Sequence, residues 1–366
     1  MEIIQLESEE HGVERVKMGG TVQPLGARTK PWLAVQDKNV VGLDCRHLSG
    51  ITEYEPTEFT FTAQSGTPLA EIQNTLAENG QYLPFDPPFA NQGATIGGAI
   101  ASGLNGSSSL RFGGLRDFML GVSYIDGLGD IVASGGKVVK NAAGFDLSKF
   151  MVGSCGQFGI LTQVTLKVFP RPESFATLEF DADLDSALSW IKRLILTPLE
   201  IDAMDWMAGK FWIRLGGPAQ TVETATARID SIIGTKPAVV MNSDSENGDD
   251  GVWKTANDFS WHDPRQVLIK IPCQLDNVGR IGETANRYQS ALRITLGGQL
   301  AYASVPVDQV PTFQTELVQQ SVPHLPISGP SEINQLVRRQ GISRTLGQFS
   351  SLIKKAVDPN NHFATL

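Results

Sequence analysis

Residues 91–106 read NQGATIGGAIASGLNG, with five glycines and three alanines in one short run. Side chains this small fill no core, and the glycines make a poor helix interior. Backbone left so bare suits a place where something other than protein comes very close. Thr95 is placed to open a short helix whose first N–H groups would face an anion. Gly97 and Gly98 would then let phosphates approach without a Cβ clash.

Two further glycine-bearing segments accompany this one: PLGARTK at 24–30, and the pair AAGFD and GSCGQFG at 142–159. Separate segments of this kind can each lay backbone N–H groups against one extended pyrophosphate. A Rossmann site is a poorer match, because it needs GxGxxG directly after a strand with a helix beginning inside it. The nearest stretch, DGLGDIV at 126–132, lacks the third glycine and continues as a strand. Tight turns between packed elements are the alternative for all three segments.

The rest of the first half reads as α+β. Phe59–Ala63 alternates like a strand; Thr67 then reads as an N-cap, Pro68 as the first helical residue, and Leu69, Ile72 and Leu76 as one face. Asp126-Gly127 between two apolar runs predicts a hairpin, and Asp146 an N-cap. Pro170 and Pro172 mark a boundary. Beyond it a strand–helix–strand–strand–helix order occurs twice, predicting an α+β domain of two similar halves on an antiparallel sheet. The domains expected are 1–170, 171–340 and a C-terminal helix and tail over 341–366 that packs back on the first.

PLGARTK, ATIGGAIASGLNG with RFGGLRD, and KNAAGFDLSKFMVGSCGQFGILTQVTLKVFPRP together resemble the FAD-binding domain of the vanillyl-alcohol-oxidase/PCMH flavoprotein superfamily. Within it the chain is similar to the smaller of the FAD-binding subunits of bacterial glycolate oxidases, also called glycolate dehydrogenases. That similarity continues through FWIRLGG, VWKTANDF, LIKIP, LGGQLAYASV and LIKKAVDPNNHF, and so covers nearly the whole chain. The resemblance implies a PCMH-type domain plus an α+β cap. It makes Leu25, Gly26, Ala27, Arg28, Thr29 and Lys30 the pyrophosphate loop. Thr95, Ile96, Gly97 and Gly98, with Ala101, Ser102 and Gly103, become a second phosphate and ribityl contact. Gly144, Phe145 and Asp146 would lie beside the isoalloxazine, and Gly159 and Ile160 towards the adenosine. Ala27 and Arg28 replace glycines common in such loops, Cys155 stands where many relatives carry glutamate, and the tail reads HFATL instead of FNPGR. No histidine lies in the first loop, which implies noncovalent FAD.

Arg111 and Arg116 flank Gly113-Gly114 and are candidates for holding a substrate carboxylate or a flavin phosphate; a structural or surface role is the alternative. Trp206, Trp253 and Trp261 read as core or interface aromatics, and Cys155 as redox-active or simply buried. The five histidines are isolated, so no metal is expected. The three cysteines form no disulfide framework or cluster motif. A net charge of −9 without a basic run argues against nucleic acid. The acidic start MEIIQLESEEHG is unlike a signal peptide, and no apolar run is long enough to span a bilayer; a cytoplasmic protein is expected, peripheral to the inner membrane at most, through partners.

With no cluster of its own, the chain would pass electrons to oxygen, a quinone or a partner. The resemblance implies a larger FAD-binding subunit, an iron–sulfur subunit and a small 2-hydroxy acid substrate, glycolate being oxidised to glyoxylate. The alternatives are a self-sufficient FAD enzyme acting on another hydroxy acid, alcohol or sugar, and a degenerate structural subunit with little or no FAD.

Overall fold

The computed structural model describes residues 1–35, 37–136, 146–242, 249–331 and 344–365. The chain forms two compact units, Met1–Asn105 with Gly114–Arg171 and Ser343–Leu366, and Gly106–Gly113 with Pro172–Ile342.

The first unit opens with β1 (Glu2–Gln5), α1 (Glu9–Lys17), β2 (Val22–Leu25) and β3 (Val41–Asp44). These strands make a parallel sheet in the order β1-β3-β2. An antiparallel sheet follows, built from β4 (Ile51–Glu55), β5 (Thr60–Gln64), β7 (Met119–Ile125), β8 (Ile131–Gly135) and β9 (Ile160–Lys167), ordered β4-β5-β9-β7-β8. The short pair β6 (Gln81–Tyr82) and β10 (Phe169–Pro170) lies outside it. One core holds Leu6, Val16, Val22 and Leu43 from the parallel part with Ile125 and Ile160 from the antiparallel part, and Phe363 from the tail completes it.

Helix α2 (Leu69–Ala77) buries Leu69, Ile72 and Leu76, the face read from the sequence. Its N-cap is Pro68 and not Thr67, whose hydroxyl instead donates to Gln64 O and accepts from the Gly50 amide. The glycine run becomes α3 (Ile96–Ser102), with Thr95 as N-cap accepting from the Gly98 amide. After α4 (Ser109–Phe112) of the second unit come α5 (Leu115–Phe118) and α6 (Leu147–Phe150), the latter capped by Asp146 as expected. The stretch 126–132 lies in the β7–β8 hairpin, where Asp126 Oδ1 accepts from the Leu128 and Asp130 amides.

The second unit runs β11 (Ser174–Asp181), α7 (Leu184–Leu194), β12 (Ala203–Met207), β13 (Lys210–Gly217), α8 (Ala219–Ile233) and β14 (Val239–Asn242). After α9 (Asp249–Asn257) the order repeats as β15 (Val267–Pro272), α10 (Val278–Arg287), β16 (Ala291–Thr295), β17 (Leu300–Val305), α11 (Val310–Gln319) and β18 (Leu325–Ser328). The eight strands form one sheet, β14-β11-β13-β12-β16-β17-β15-β18, with every pair antiparallel. Each half therefore has the same internal order, and the halves meet through their second strands, β12 and β16. Alternation along the strands sends Leu178, Ile213, Ile269 and Ala301 into the core.

Gly106–Gly113 sit with this second unit, whereas the boundary expected at residue 170 puts them in the first domain. Ser107 Oγ donates to Asp205 Oδ2 at 2.9 Å, and Arg111 pairs with Asp202 at 2.7 Å. The last helix, α12 (Arg344–Val357), and the tail belong to the first unit.

Candidate functional site

A cavity of about 640 Å³ opens in the first unit, within the range of roughly 300–1,000 Å³ usual for cofactor sites. Leu25, Gly26, Ala27, Arg28, Thr29 and Lys30 line one wall. Thr95, Gly97, Gly98, Ala101 and Ser102 line another, and Gly159 contributes with Ser154, Cys155 and Gly156. Folding thus brings together residues from all three glycine-bearing segments.

Not every expected residue reaches the cavity. Ile96 and Ile160 are core residues, both 0% exposed, and Gly103 is the left-handed C-cap of α3. Asp146 caps α6 on the surface and is absent from the lining. Burial alone would raise its carboxyl, but hydrogen bonds from Lys149 and the nearby Arg116 charge hold it below the usual carboxylate range. Gly144 and Phe145 lie outside the described residues.

The start of α3 is not the anion site that the sequence suggests. Its first amides are taken: Ile96 N donates to Thr67 O, Gly97 N to Ser65 O, Gly98 N to Thr95 Oγ1 and Ala99 N to Thr95 O. Gly97 is there for packing, since a Cβ would lie 2.7 Å from Ser65 Cβ and 2.8 Å from its carbonyl oxygen. Gly98 differs, because its Cβ would meet only Thr95 Oγ1, at 3.1 Å, and otherwise face open space.

The unfilled donors lie in the other loop. Among the described residues, the amides of Gly26, Ala27, Arg28, Thr29 and Lys30 donate to no protein acceptor. Arg28 holds φ +57, a left-handed conformation that suits the glycine expected there and strains a longer residue. Lys30 Nζ donates to Thr29 Oγ1 at 3.0 Å and lies 5.1 Å from the Phe89 ring centroid. Burial pushes its ammonium down to about 8, partly offset by Cys155 nearby. An ammonium and five orphan amides around one cavity form a receptor for a multiply charged anion.

Two serines missed by sequence reasoning complete the wall. Ser65 and Ser154 are 3% and 2% exposed, line the cavity, and have hydroxyl oxygens with no hydrogen-bond partner. A buried hydroxyl without a partner is costly, so its place in a cavity wall leaves it available to a ligand. Nothing in the local sequence separates these serines from ordinary turn residues. Cys45, also on the wall, is pushed up to about 12 by burial and stays a thiol. These donors and the open Gly98 face fit the diphosphate and hydroxyl-rich chain of FAD.

Arg111 does not reach this cavity. Its guanidinium pairs with Asp202 and Glu200 and donates to Gly216 O, all within the second unit, so its charge is already matched. Arg116 is exposed and stands near Asp146. Sequence reading also missed a buried cluster in the second unit. Arg293 Nε and Nη2 donate to Asp205 Oδ2, Nη2 also to Ser107 Oγ, and Nη1 to Ala256 O. Trp253 is core, donating to Thr177 Oγ1 at 2.7 Å.

Residues 3–135 match the family described as FAD binding domain. FAD is the cofactor of this domain. Crystal structures of alkyldihydroxyacetonephosphate synthase share the fold, with a TM-score of 0.70 at 16% identity over 98% of this chain and 74% of that one. Among curated proteins, the chain is 43% identical over 183 residues to glycolate oxidase subunit GlcE of Escherichia coli (strain K12), covering 50% of this chain and 52% of that protein. It is 28% identical over 219 residues to glycolate oxidase subunit GlcD of Bacillus subtilis (strain 168), covering 54% and 46%. It is 30% identical over 188 residues to D-lactate dehydrogenase of Anaerostipes hadrus, covering 51% and 39%. The chain spans about half or less of the length of these relatives.

Proposed function

We propose that the chain is the FAD-binding subunit of a glycolate oxidase-type complex, acting in the oxidation of glycolate or a related 2-hydroxy acid. The observation that carries the reading is the first unit's cavity, with its orphan amides, Lys30 and two unpartnered serine hydroxyls. The likeness to two glycolate oxidase subunits and a D-lactate dehydrogenase supports the hydroxy-acid class.

Converting a 2-hydroxy acid to its oxo acid removes two electrons and two protons, from the C–H and O–H bonds. When bound, FAD supplies the two-electron acceptor. The residues of the chain bind and orient. The Gly26–Lys30 amides and the Lys30 ammonium hold the diphosphate, and Ser65 and Ser154 donate to or accept from the polar chain. Leu33, Cys45 and Leu161 add apolar lining to the same cavity. Gly159, on the cavity lining, is assigned towards the adenosine. Arg116 is the remaining candidate for a substrate carboxylate.

Among the described residues, no group of three or more His, Cys, Asp or Glu side chains is placed to hold a metal, and no helix is long and apolar enough to cross a membrane. In this reading electrons leave through a larger FAD-binding subunit and an iron–sulfur subunit. The visible spectrum of the chain purified alone, before and after denaturation, tests the proposal. A flavin spectrum whose chromophore is released on unfolding is expected. A colourless protein that stays so with added FAD would favour a structural subunit, and turnover of a hydroxy acid by the chain alone would favour a self-sufficient enzyme.

A further inference from the structure

We infer that the C-terminal tail is a clasp on the cofactor cavity, with Lys354 as its positioning residue. The inference rests on the assignment of that cavity to FAD. Lys354, on the last turn of α12, has a side chain 12% exposed and uses all three ammonium protons. One goes to Asp358 Oδ2, one to Phe363 O and one to Gln157 O, each at 2.6 Å.

The two ends of this arrangement lie at different walls of the cavity. Gln157 sits in the middle of the loop 154–159, whose Ser154, Cys155, Gly156 and Gly159 line it. Cys155 and Gly156 in that loop take left-handed backbone, at φ +49 and +74, a shape that a short glycine-rich loop does not hold unaided. The Lys354 ammonium, on the Gln157 carbonyl, is one of its anchors. Another is Gln23 Nε2, donating to Cys155 O at 3.2 Å.

At the other end, Asp358 folds the tail back by accepting from the His362 and Phe363 amides at 2.8 and 2.9 Å. Val22 N then donates to His362 O and Ala364 N to Val22 O, so the tail adds a parallel bridge beside β2. Phe363 is 0% exposed in the core that also holds Val22. Gln23, Pro24 and Leu25, which follow Val22, form the cavity wall that leads into the orphan-amide loop. Gly127 completes the seat: its amide donates to Val357 O, and a Cβ there would lie 2.3 Å from Asp358 Oδ1. The Lys354 ammonium thus adds a second link, beside the Gln23–Cys155 bond, between the loop 154–159 and the tail strand that lies along β2. Binding that needs both walls in register must in turn tighten the clasp, because coupling between two sites is reciprocal.

The test uses the full chain stripped of flavin and titrated with FAD, binding being followed by flavin fluorescence, alongside hydrogen exchange of the wild type with and without FAD. Lys354→Met is expected to weaken FAD binding at least about tenfold, while Lys354→Arg retains most of it. In the wild type, FAD is expected to slow exchange at the Gln157 and Ala364 amides together. The clasp is wrong if Lys354→Met binds FAD like the wild type, or if FAD protects Gln157 and leaves Ala364 unchanged. Exchange on the wild type decides the matter even where the variant does not fold. A wild-type chain that binds no FAD overturns the cavity assignment itself, and the clasp with it.

Discussion

Lys30 donates to the Thr29 hydroxyl at 3.0 Å and, among the described residues, forms no salt bridge, although burial pushes its ammonium down to about 8. A cation held this way can pair with an anion. Lys30→Met should weaken FAD binding about 10- to 100-fold, the range of a lost charge-assisted hydrogen bond. The pH dependence has a definite sign. Free Lys30 sheds its proton near pH 8, and a bound diphosphate raises that value, so binding takes up a proton above pH 8. FAD affinity should therefore fall as pH rises beyond 8, by at most about tenfold per unit, and the Met variant should lack this limb. Fluorescence titrations at several pH values decide.

Adjacent glycines of α3 should behave differently. Gly98→Val places its branches in the open cavity and should abolish FAD binding with little change in the unfolding temperature of the apoprotein. Gly97→Ala drives a methyl into Ser65 and should destabilise the apoprotein by about 1–3 kcal/mol. Thermal unfolding beside FAD titration separates the two; full flavin occupancy in Gly98→Val would contradict the placement.

Removing the Ser154 hydroxyl should act with opposite signs on stability and binding. Its oxygen is buried without a partner, so Ser154→Ala should leave the apoprotein as stable or slightly more so. FAD affinity should drop about tenfold, because the hydroxyl gains its partner only in the complex. An apoprotein clearly destabilised by Ser154→Ala would argue for a structural role.

In the second unit, Arg293 and Asp205 form an ion pair in which both side chains are nearly inaccessible, at 3% and 2% exposure. Asp205→Ala leaves the guanidinium buried and uncompensated, and should cost about 3–5 kcal/mol of stability. Chemical denaturation measures it. A loss below about 1 kcal/mol would mean that Ser107 and the Ala256 carbonyl satisfy Arg293 unaided.

Much of the architecture is legible in the sequence alone. Periodicity places α2 and its buried face at Leu69, Ile72 and Leu76, and the repeated strand–helix order anticipates two halves on one antiparallel sheet. Patterning of this kind is local, set by side chains three or four residues apart on a helix and two apart on a strand. The three glycine-bearing segments are likewise visible, since glycine marks places where backbone is approached closely. Their division of labour is not. Thr95 does cap α3, yet Ser65, Thr67 and Thr95 itself occupy the amides expected to face an anion. The donors lie instead at Gly26–Lys30.

That difference has one physical reason. Whether a backbone amide is free depends on which carbonyl folds against it, and the Ser65 and Thr67 carbonyls come from outside the glycine run. The same holds for Arg111, which looks available in sequence until Asp202 and Glu200 are brought to it from about ninety residues away. Ser65 and Ser154 look ordinary until burial leaves their hydroxyls unpaired. Chain-local chemistry pointed to most elements and faces and to a ligand that approaches bare backbone. Which polar groups remain unsatisfied, and so can act on that ligand, was settled only by long-range packing, because satisfaction is a property of neighbours and not of residue type.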